Sequence, residues 1–165
     1  MDFNFDLIKT YLKETSIYRS IKFIEKIYEV FKWYKFAKCE PPSPFLIKNA
    51  ILLRHGIKNS SWVETGTYKG DTTSILAKRF PLVHTIEPSQ ECFKIASLNL
   101  RNYSNISLHL GTSEECLEDI CKCLKGDISF WLDGHYSKGD TFKGKQVTPI
   151  IYELETISKY INQYD

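Results

Sequence analysis

At 165 residues and a formal net charge of +2, the chain has room for one ordinary domain and an extension. With 42% hydrophobic and 25% charged residues, and neither glycine nor proline in excess, the composition excludes a disordered or collagen-like chain. So small a charge gives no ground for nucleic-acid binding, which needs a basic patch, and no run approaches the roughly 20 apolar residues of a membrane span.

The N-terminus carries Asp2 and Asp6 and lacks a basic start followed by an apolar stretch, so no secretory signal is read there. The cysteines, Cys39, Cys92, Cys116, Cys121 and Cys123, are odd in number and lack the repeated two-residue gap of a zinc site. Cys116, Cys121 and Cys123 fall in one predicted helix, where they converge poorly on a metal. All five are expected as reduced thiols, consistent with a cytoplasmic protein.

In chain order, Ile17 to Lys38 reads as the first helix. Ile17, Ile21, Ile24, Tyr28 and Phe31 recur at three- and four-residue steps, with Lys22, Lys26, Lys32 and Lys35 among them. Such a helix can lie on an anionic membrane surface, or pack on its own domain or a second subunit. Packing is favoured, because Trp33, Tyr34 and Phe36 spread apolar surface beyond a narrow stripe. Pro41, Pro42 and Pro44 forbid a continuous helix and divide an N-terminal helical extension, 1–40, from a domain over 41–165.

Phe45 to His55 then reads as a helix stopped by Gly56. From there strands alternate with helices: strand Ser61 to Glu64, helix Thr72 to Phe80, strand Leu82 to Ile86, helix Ser89 to Leu100. Strand Ile106 to Leu110 follows, then helix Ser113 to Leu124 with Thr112 and Glu115 as a capping pair, and a fourth strand, Ile128 to Leu132. Thr148 and Pro149 open a last helix as cap and first helical residue. This rhythm predicts an α/β fold, a parallel sheet with crossover helices.

The first strand runs into Glu64-Thr65-Gly66-Thr67-Tyr68-Lys69-Gly70-Asp71, a turn at the carboxyl edge of the sheet, where ligands bind. Gly66 permits a tight turn and close backbone approach, and Gly70 lets the next helix begin near the ligand, its amides facing an anionic group. The second strand ends at Glu87, 21 positions after Gly66, the place for a carboxylate that accepts ribose hydroxyl hydrogen bonds. Loop, carboxylate and rhythm together point to a nucleoside-type ligand.

Trp62 to Thr72, His84-Thr85-Ile86-Glu87 and Phe130-Trp131-Leu132-Asp133-Gly134-His135-Tyr136-Ser137 resemble the motifs of bacterial class I S-adenosylmethionine-dependent methyltransferases of Rossmann-like fold, in particular the macrocin O-methyltransferase-like group. The resemblance runs from about Pro41 to about Ile157 and takes in Thr148-Pro149-Ile150 and Glu153-Leu154. It implies S-adenosyl-L-methionine as cofactor, with Glu64, Gly66 and Gly70 around its methionine end, Glu87 on its ribose, and Thr67 also among the cofactor-binding residues. It also implies O-methylation of a small-molecule or glycan-type acceptor. Two positions depart from the group's pattern. Gly111-Thr112-Ser113 lacks an acid near the adenine, where Thr112 can still hydrogen-bond or merely cap a helix, and Val147 stands where an acid is usual.

On this resemblance the fourth strand brings Asp133 and His135 beside the transferable methyl group. His135 titrates near neutrality and suits a base; Asp133 would orient it or hold a divalent cation such as Mg2+. The plainer alternative is a turn at Asp133-Gly134. His55, His84 and His109 lack such company and are read as structural. Gly139 to Lys145 has phosphate-loop spacing, but Gln146 follows where a Ser or Thr hydroxyl is needed, so the segment reads as a basic lid instead.

A full class I methyltransferase sheet has seven strands, whereas four are read here. The chain is therefore expected to be a truncated form, or to rely on a partner chain or an oligomer pairing with its open sheet edge. An active O-methyltransferase and a non-catalytic nucleoside-binding module both fit these features. A dinucleotide oxidoreductase would want the tighter Gly-x-Gly-x-x-Gly loop, which this sequence lacks.

Overall fold

The computed structural model describes residues 16–134 and 149–160. The chain forms two compact units that divide between Arg54 and His55. The first holds α1 (Ser16–Lys35) and all but the last residue of α2 (Phe45–His55). Helix α1 ends three residues earlier than its periodicity suggests, because Lys38 and Cys39 take positive φ of 48° and 65°, which a right-handed helix cannot continue. The Trp33 indole Nε1 donates to the Glu40 carbonyl at 2.6 Å and ties the exit chain to the last turn.

The second unit runs β1 (Ser61–Thr65), α3 (Asp71–Ala77), β2 (Leu82–Glu87), α4 (Gln90–Leu100), β3 (Ile106–Leu110), α5 (Ser113–Cys123), β4 (Ile128–Leu132) and α6 (Ile150–Tyr160). All strand pairs are parallel, in the order β3-β2-β1-β4. The strands match their expected bounds to within a residue, and the α/β sheet with flanking helices is as the sequence predicts. Helix α3 is shorter than expected. Arg79 and Phe80 both donate to the Leu76 carbonyl, turning the chain ahead of Pro81.

Register decides what each face carries. Val63 stands beside His84 and Phe130, so one face of the sheet presents Val63 and Ile86 to Leu117, Ile120, Cys121 and Leu124. These apolar residues recur at three- and four-residue steps and form the buried stripe of α5 and its exit. Leu82, Ile128, Phe130, Ile157 and Tyr160 close the cluster. Full burial of one such aliphatic side chain stabilises by about 1.5–3 kcal/mol, so this stripe fixes α5 to the sheet. The helix opens with the expected capping box, in which Glu115 Oε2 accepts the Thr112 amide at 2.9 Å. Ser89 caps α4, its Oγ accepting the Cys92 amide at 3.3 Å. In α6 the Glu153 amide donates to Pro149 at 3.0 Å; the expected cap, Thr148, lies outside the described residues. None of the five cysteines is joined in a disulfide.

Gly56 follows α2 as expected, but its necessity is steric. A Cβ there would stand 2.5 Å from Cζ2 of the Trp62 indole, which is 2% exposed and packs at 5.0 Å on the Phe80 ring. Gly56→Ala is expected to destabilise the chain by about 1–3 kcal/mol, the usual penalty for overpacking, read as a lower urea midpoint at unchanged slope.

Candidate functional site

The strand order reverses between β1 and β4, and a reversal of this kind opens a crevice at the carboxyl ends of the strands. The segments leaving β1 and β4 meet there. Asp133 N donates to the Thr65 carbonyl at 3.1 Å, and the Gly66 and Thr67 amides donate to the Ile86 carbonyl at 3.0 and 3.1 Å. Gly66 has φ of +87°, and a Cβ on it would lie 2.7 Å from the Asp133 carbonyl oxygen. Only glycine fits both the backbone conformation and that space. Gly70 also has a positive φ, +85°, and precedes α3, but the atoms facing it belong to the Leu100 side chain.

Glu64 lies at the centre of this edge and is 1% exposed. Its Oε2 accepts the hydroxyls of Thr73 and of Thr85, the latter at 2.8 Å, and Thr85 meets the Thr67 hydroxyl at 2.6 Å. Register explains the cage, because Glu64 pairs with Thr85 across β1 and β2. Burial pushes the Glu64 carboxyl up to about 7 against the pull of the two hydroxyls, and the nearby charges of Asp133 and Glu87 add to the rise. A carboxyl raised this far can hold its proton near neutral pH, and a cation beside it would favour the ionised form.

Glu87 ends β2 and is 5% exposed. Its Oε2 accepts the Tyr68 amide at 2.7 Å and its Oε1 the Ser89 amide at 2.9 Å. Burial pushes this carboxyl up too, opposed by the two amides. Each oxygen keeps a further lone pair, so the carboxylate can accept a vicinal diol while it holds the loop in place. Thr112 is half-buried at the start of α5, engaged in the capping box. Gly111 before it has φ of +151°, and a Cβ there would stand 2.8 Å from Cys116 Sγ.

Asp133 is half-buried at the end of β4, its backbone against Gly66. His135 lies outside the described residues, as do Gly139 to Lys145 and Val147. Among the described residues no group of three His, Cys, Asp or Glu side chains is placed to hold a metal ion. His84 and His109 do have company, in each other. Their rings stack, with Nδ1 and Nε2 3.0 Å apart, and burial holds both below the usual histidine range.

The sequence reading missed one acid of this edge as a site residue. Glu153, in the first turn of α6, is 1% exposed, and its Oε1 has no hydrogen-bond partner among the described residues. Thr65 Oγ1 is likewise buried and unpartnered. These two atoms lie 3.4 and 3.2 Å from the point a Cβ on Gly134 would occupy. Burial pushes the Glu153 carboxyl up. The one available signal was its place beside Leu154 in the family motif; a first-turn acid otherwise reads as a solvated partner of the helix dipole.

No family model and no curated protein matches the chain. Solved structures do. A Streptococcus mutans protein assigned as a methyltransferase, in complex with S-adenosylhomocysteine, matches at TM-score 0.53 and 18% identity, covering 76% of this chain and 69% of its own. An rRNA methylase from Streptococcus thermophilus matches at 0.52 and 18%, covering 76% and 68%. The O-methyltransferase from Bacillus cereus, in complex with S-adenosylhomocysteine, matches at 0.52 and 19%, covering 82% of this chain but only 61% of that enzyme. At such identities the likeness is one of fold, and the chain carries the Rossmann-like fold of these methyltransferases.

Proposed function

We propose that the chain binds S-adenosyl-L-methionine at the carboxyl edge of β1 and β2 and transfers its methyl group to a hydroxyl of a small-molecule or glycan-type acceptor. The observation that carries this reading is the pair of buried carboxyls, Glu64 and Glu87, on either side of the left-handed Gly66 turn. Their chemistry fits the cofactor. An ammonium favours the ionised form of a buried acid, and a ribose diol suits a carboxylate with a free lone pair on each oxygen. Glu64, Gly66, Thr67 and Gly70 would hold the methionine end, Glu87 the ribose, and Thr112 the neighbourhood of the adenine.

When bound, the cofactor supplies a methyl group activated on a sulfonium. The chain's own task is to orient the acceptor oxygen in line and to take its proton. Asp133 is the described candidate for the acceptor side, with His135 as base on the strength of the family motif. No step here calls on a divalent cation, since the described residues offer no ligand set for one. The acceptor class and the macrocin O-methyltransferase-like grouping rest on Asp133-Gly134-His135-Tyr136-Ser137 and the helix start that follows it in sequence.

Calorimetric titration with S-adenosylhomocysteine tests the ribose assignment. Glu87→Gln is expected to weaken binding about 10- to 150-fold, the range for losing hydrogen bonds to a charged group, and to lose less against an analogue without the ribose hydroxyls. Equal losses on the two ligands would remove Glu87 from the ribose. Tight binding without methyl transfer to any hydroxyl acceptor would favour the non-catalytic nucleoside-binding module.

A further inference from the structure

The end of β1 has a buried acid on each face of the sheet, and the two are held differently. Val63 packs on α5, so by alternation Thr65 shares that face and Glu64 takes the other. There Glu64 accepts the hydroxyls of Thr73 and Thr85. On the α5 face, Glu153 of α6 comes up against Thr65 and Gly134. Neither Glu153 Oε1 nor Thr65 Oγ1 has a hydrogen-bond partner among the described residues. Thr156, one turn along α6 and on the same side of it, also keeps a buried hydroxyl without one. Each buried polar atom left in this way costs about 1–3 kcal/mol, which the donors of a ligand would offset.

Gly134 shows where the first two oxygens point. A Cβ on it would lie 3.2 Å from Thr65 Oγ1 and 3.4 Å from Glu153 Oε1. The φ of Gly134 is not positive, so the backbone conformation does not call for glycine here. What the glycine leaves is space in front of the two oxygens. Gly134 is exposed and follows Asp133, which the function proposed above puts on the acceptor side.

The chemistry of these oxygens selects a donor that carries positive charge. Among the described residues no Lys, Arg or His pairs with Glu153. Burial pushes its carboxyl up, and a cation beside it would favour the ionised form. An ammonium group has three N–H donors and no acceptor, which suits a carboxylate and hydroxyl oxygens that all lack donors. A neutral hydroxyl would leave the buried charge without a counter-charge. We propose that Glu153 and Thr65 form a site for a primary ammonium group, and that the acceptor is a hydroxyl compound held there by its own amine. The amine site stands on Glu153 and Thr65; its place in methyl transfer rests on the function proposed above.

Calorimetric titration of the full chain at pH 7 with ethanolamine and with ethylene glycol tests it, each with and without S-adenosylhomocysteine. The expected result is ethanolamine at least ~10-fold tighter than the diol, the lower end for a hydrogen bond to a charged group. Glu153→Gln should remove this preference and leave S-adenosylhomocysteine binding as in the parent. Gly134→Ala keeps the carboxyl but sets a methyl before both oxygens, and should weaken ethanolamine by a similar factor. Circular dichroism and the urea midpoint check that both variants fold, and the preference of the parent needs no variant. Equal binding of the two probes by the parent, or a preference that survives Glu153→Gln, would overturn the proposal. So would a loss on S-adenosylhomocysteine as large as that on ethanolamine, which would put the cofactor's amine on Glu153. A parent that prefers ethanolamine but does not bind S-adenosylhomocysteine would support the amine site and remove the methyl-transfer reading.

Discussion

Glu64→Gln is expected to unfold at a higher urea midpoint than the parent at pH 8.5, and to keep only about a quarter of that advantage at pH 5. The sign follows from linkage. The folded Glu64 carboxyl titrates near 7 and the unfolded one near 4.5, so the folded state binds the extra proton. Stability therefore falls as pH rises from about 4.5 through about 7, and the loss is complete above that. The difference between the two values corresponds to roughly 3 kcal/mol at full ionisation. Glutamine has the shape of the protonated acid, can accept the Thr73 and Thr85 hydroxyls through its carbonyl, and does not ionise. It thus escapes the whole penalty at pH 8.5 and only about a quarter of it at pH 5, where the unfolded carboxyl has begun to ionise and the folded one has not. The same substitution is expected to weaken S-adenosylhomocysteine binding about 10- to 150-fold, by removing the charged partner of the amine. A variant more stable than its parent yet poorer at binding is the behaviour of a functional group held against the preference of the fold. A stability difference that stays constant from pH 5 to 8.5 would mean that Glu64 does not titrate in this window.

Gly66→Ala is expected to destabilise the fold by about 3 kcal/mol or more, well beyond Gly70→Ala. The two glycines have nearly the same left-handed φ, +87° and +85°, so each substitution incurs about 1–2 kcal/mol of backbone strain. Their surroundings differ. At Gly66 the added carbon meets the Asp133 carbonyl oxygen at 2.7 Å and the Gly134 Cα at 3.2 Å, both main chain. Relief requires prising the ends of β1 and β4 apart. At Gly70 the nearest atoms are Leu100 Cγ at 2.9 Å and its two methyls, which a rotamer change moves aside. Urea unfolding of both variants should separate them by about 2 kcal/mol. Equal midpoints would show that the β1 and β4 ends do not meet as described.

Strands, order of elements and capping pairs were legible because they rest on local patterns. Apolar alternation placed Ile106–Leu110 and Ile128–Leu132 to the residue, and Thr112 with Glu115 announced the start of α5. Features that depend on register were hidden. Thr85 reaches Glu64 only because β1 pairs with β2 one particular way, and the two residues are 21 positions apart in sequence. His84 and His109 were read as separate, yet pairing Ile86 with His109 puts the two rings on the same face of neighbouring strands. Glu153 looked like an ordinary first-turn acid until α6 was seen to bury it against Thr65 and Gly134. Gly56 looked like a helix stop, while the space for the Trp62 indole makes it necessary. The sequence put Glu64 and Glu87 at the ends of the first two strands, where both side chains are buried, but it held no sign of the threonine cage around Glu64.

In the proposed function this edge binds the cofactor through Glu64, whose carboxyl must lose a proton to meet the amine. Calorimetric titration of S-adenosylhomocysteine into the full chain at pH 7, repeated in buffers of different ionisation enthalpy, measures binding and proton exchange together. The expected result is one site per chain, with net proton release on binding that fades as the pH is raised to 8.5, and no such release from Glu64→Gln. Absence of binding at millimolar ligand, or binding with no proton released, would contradict it.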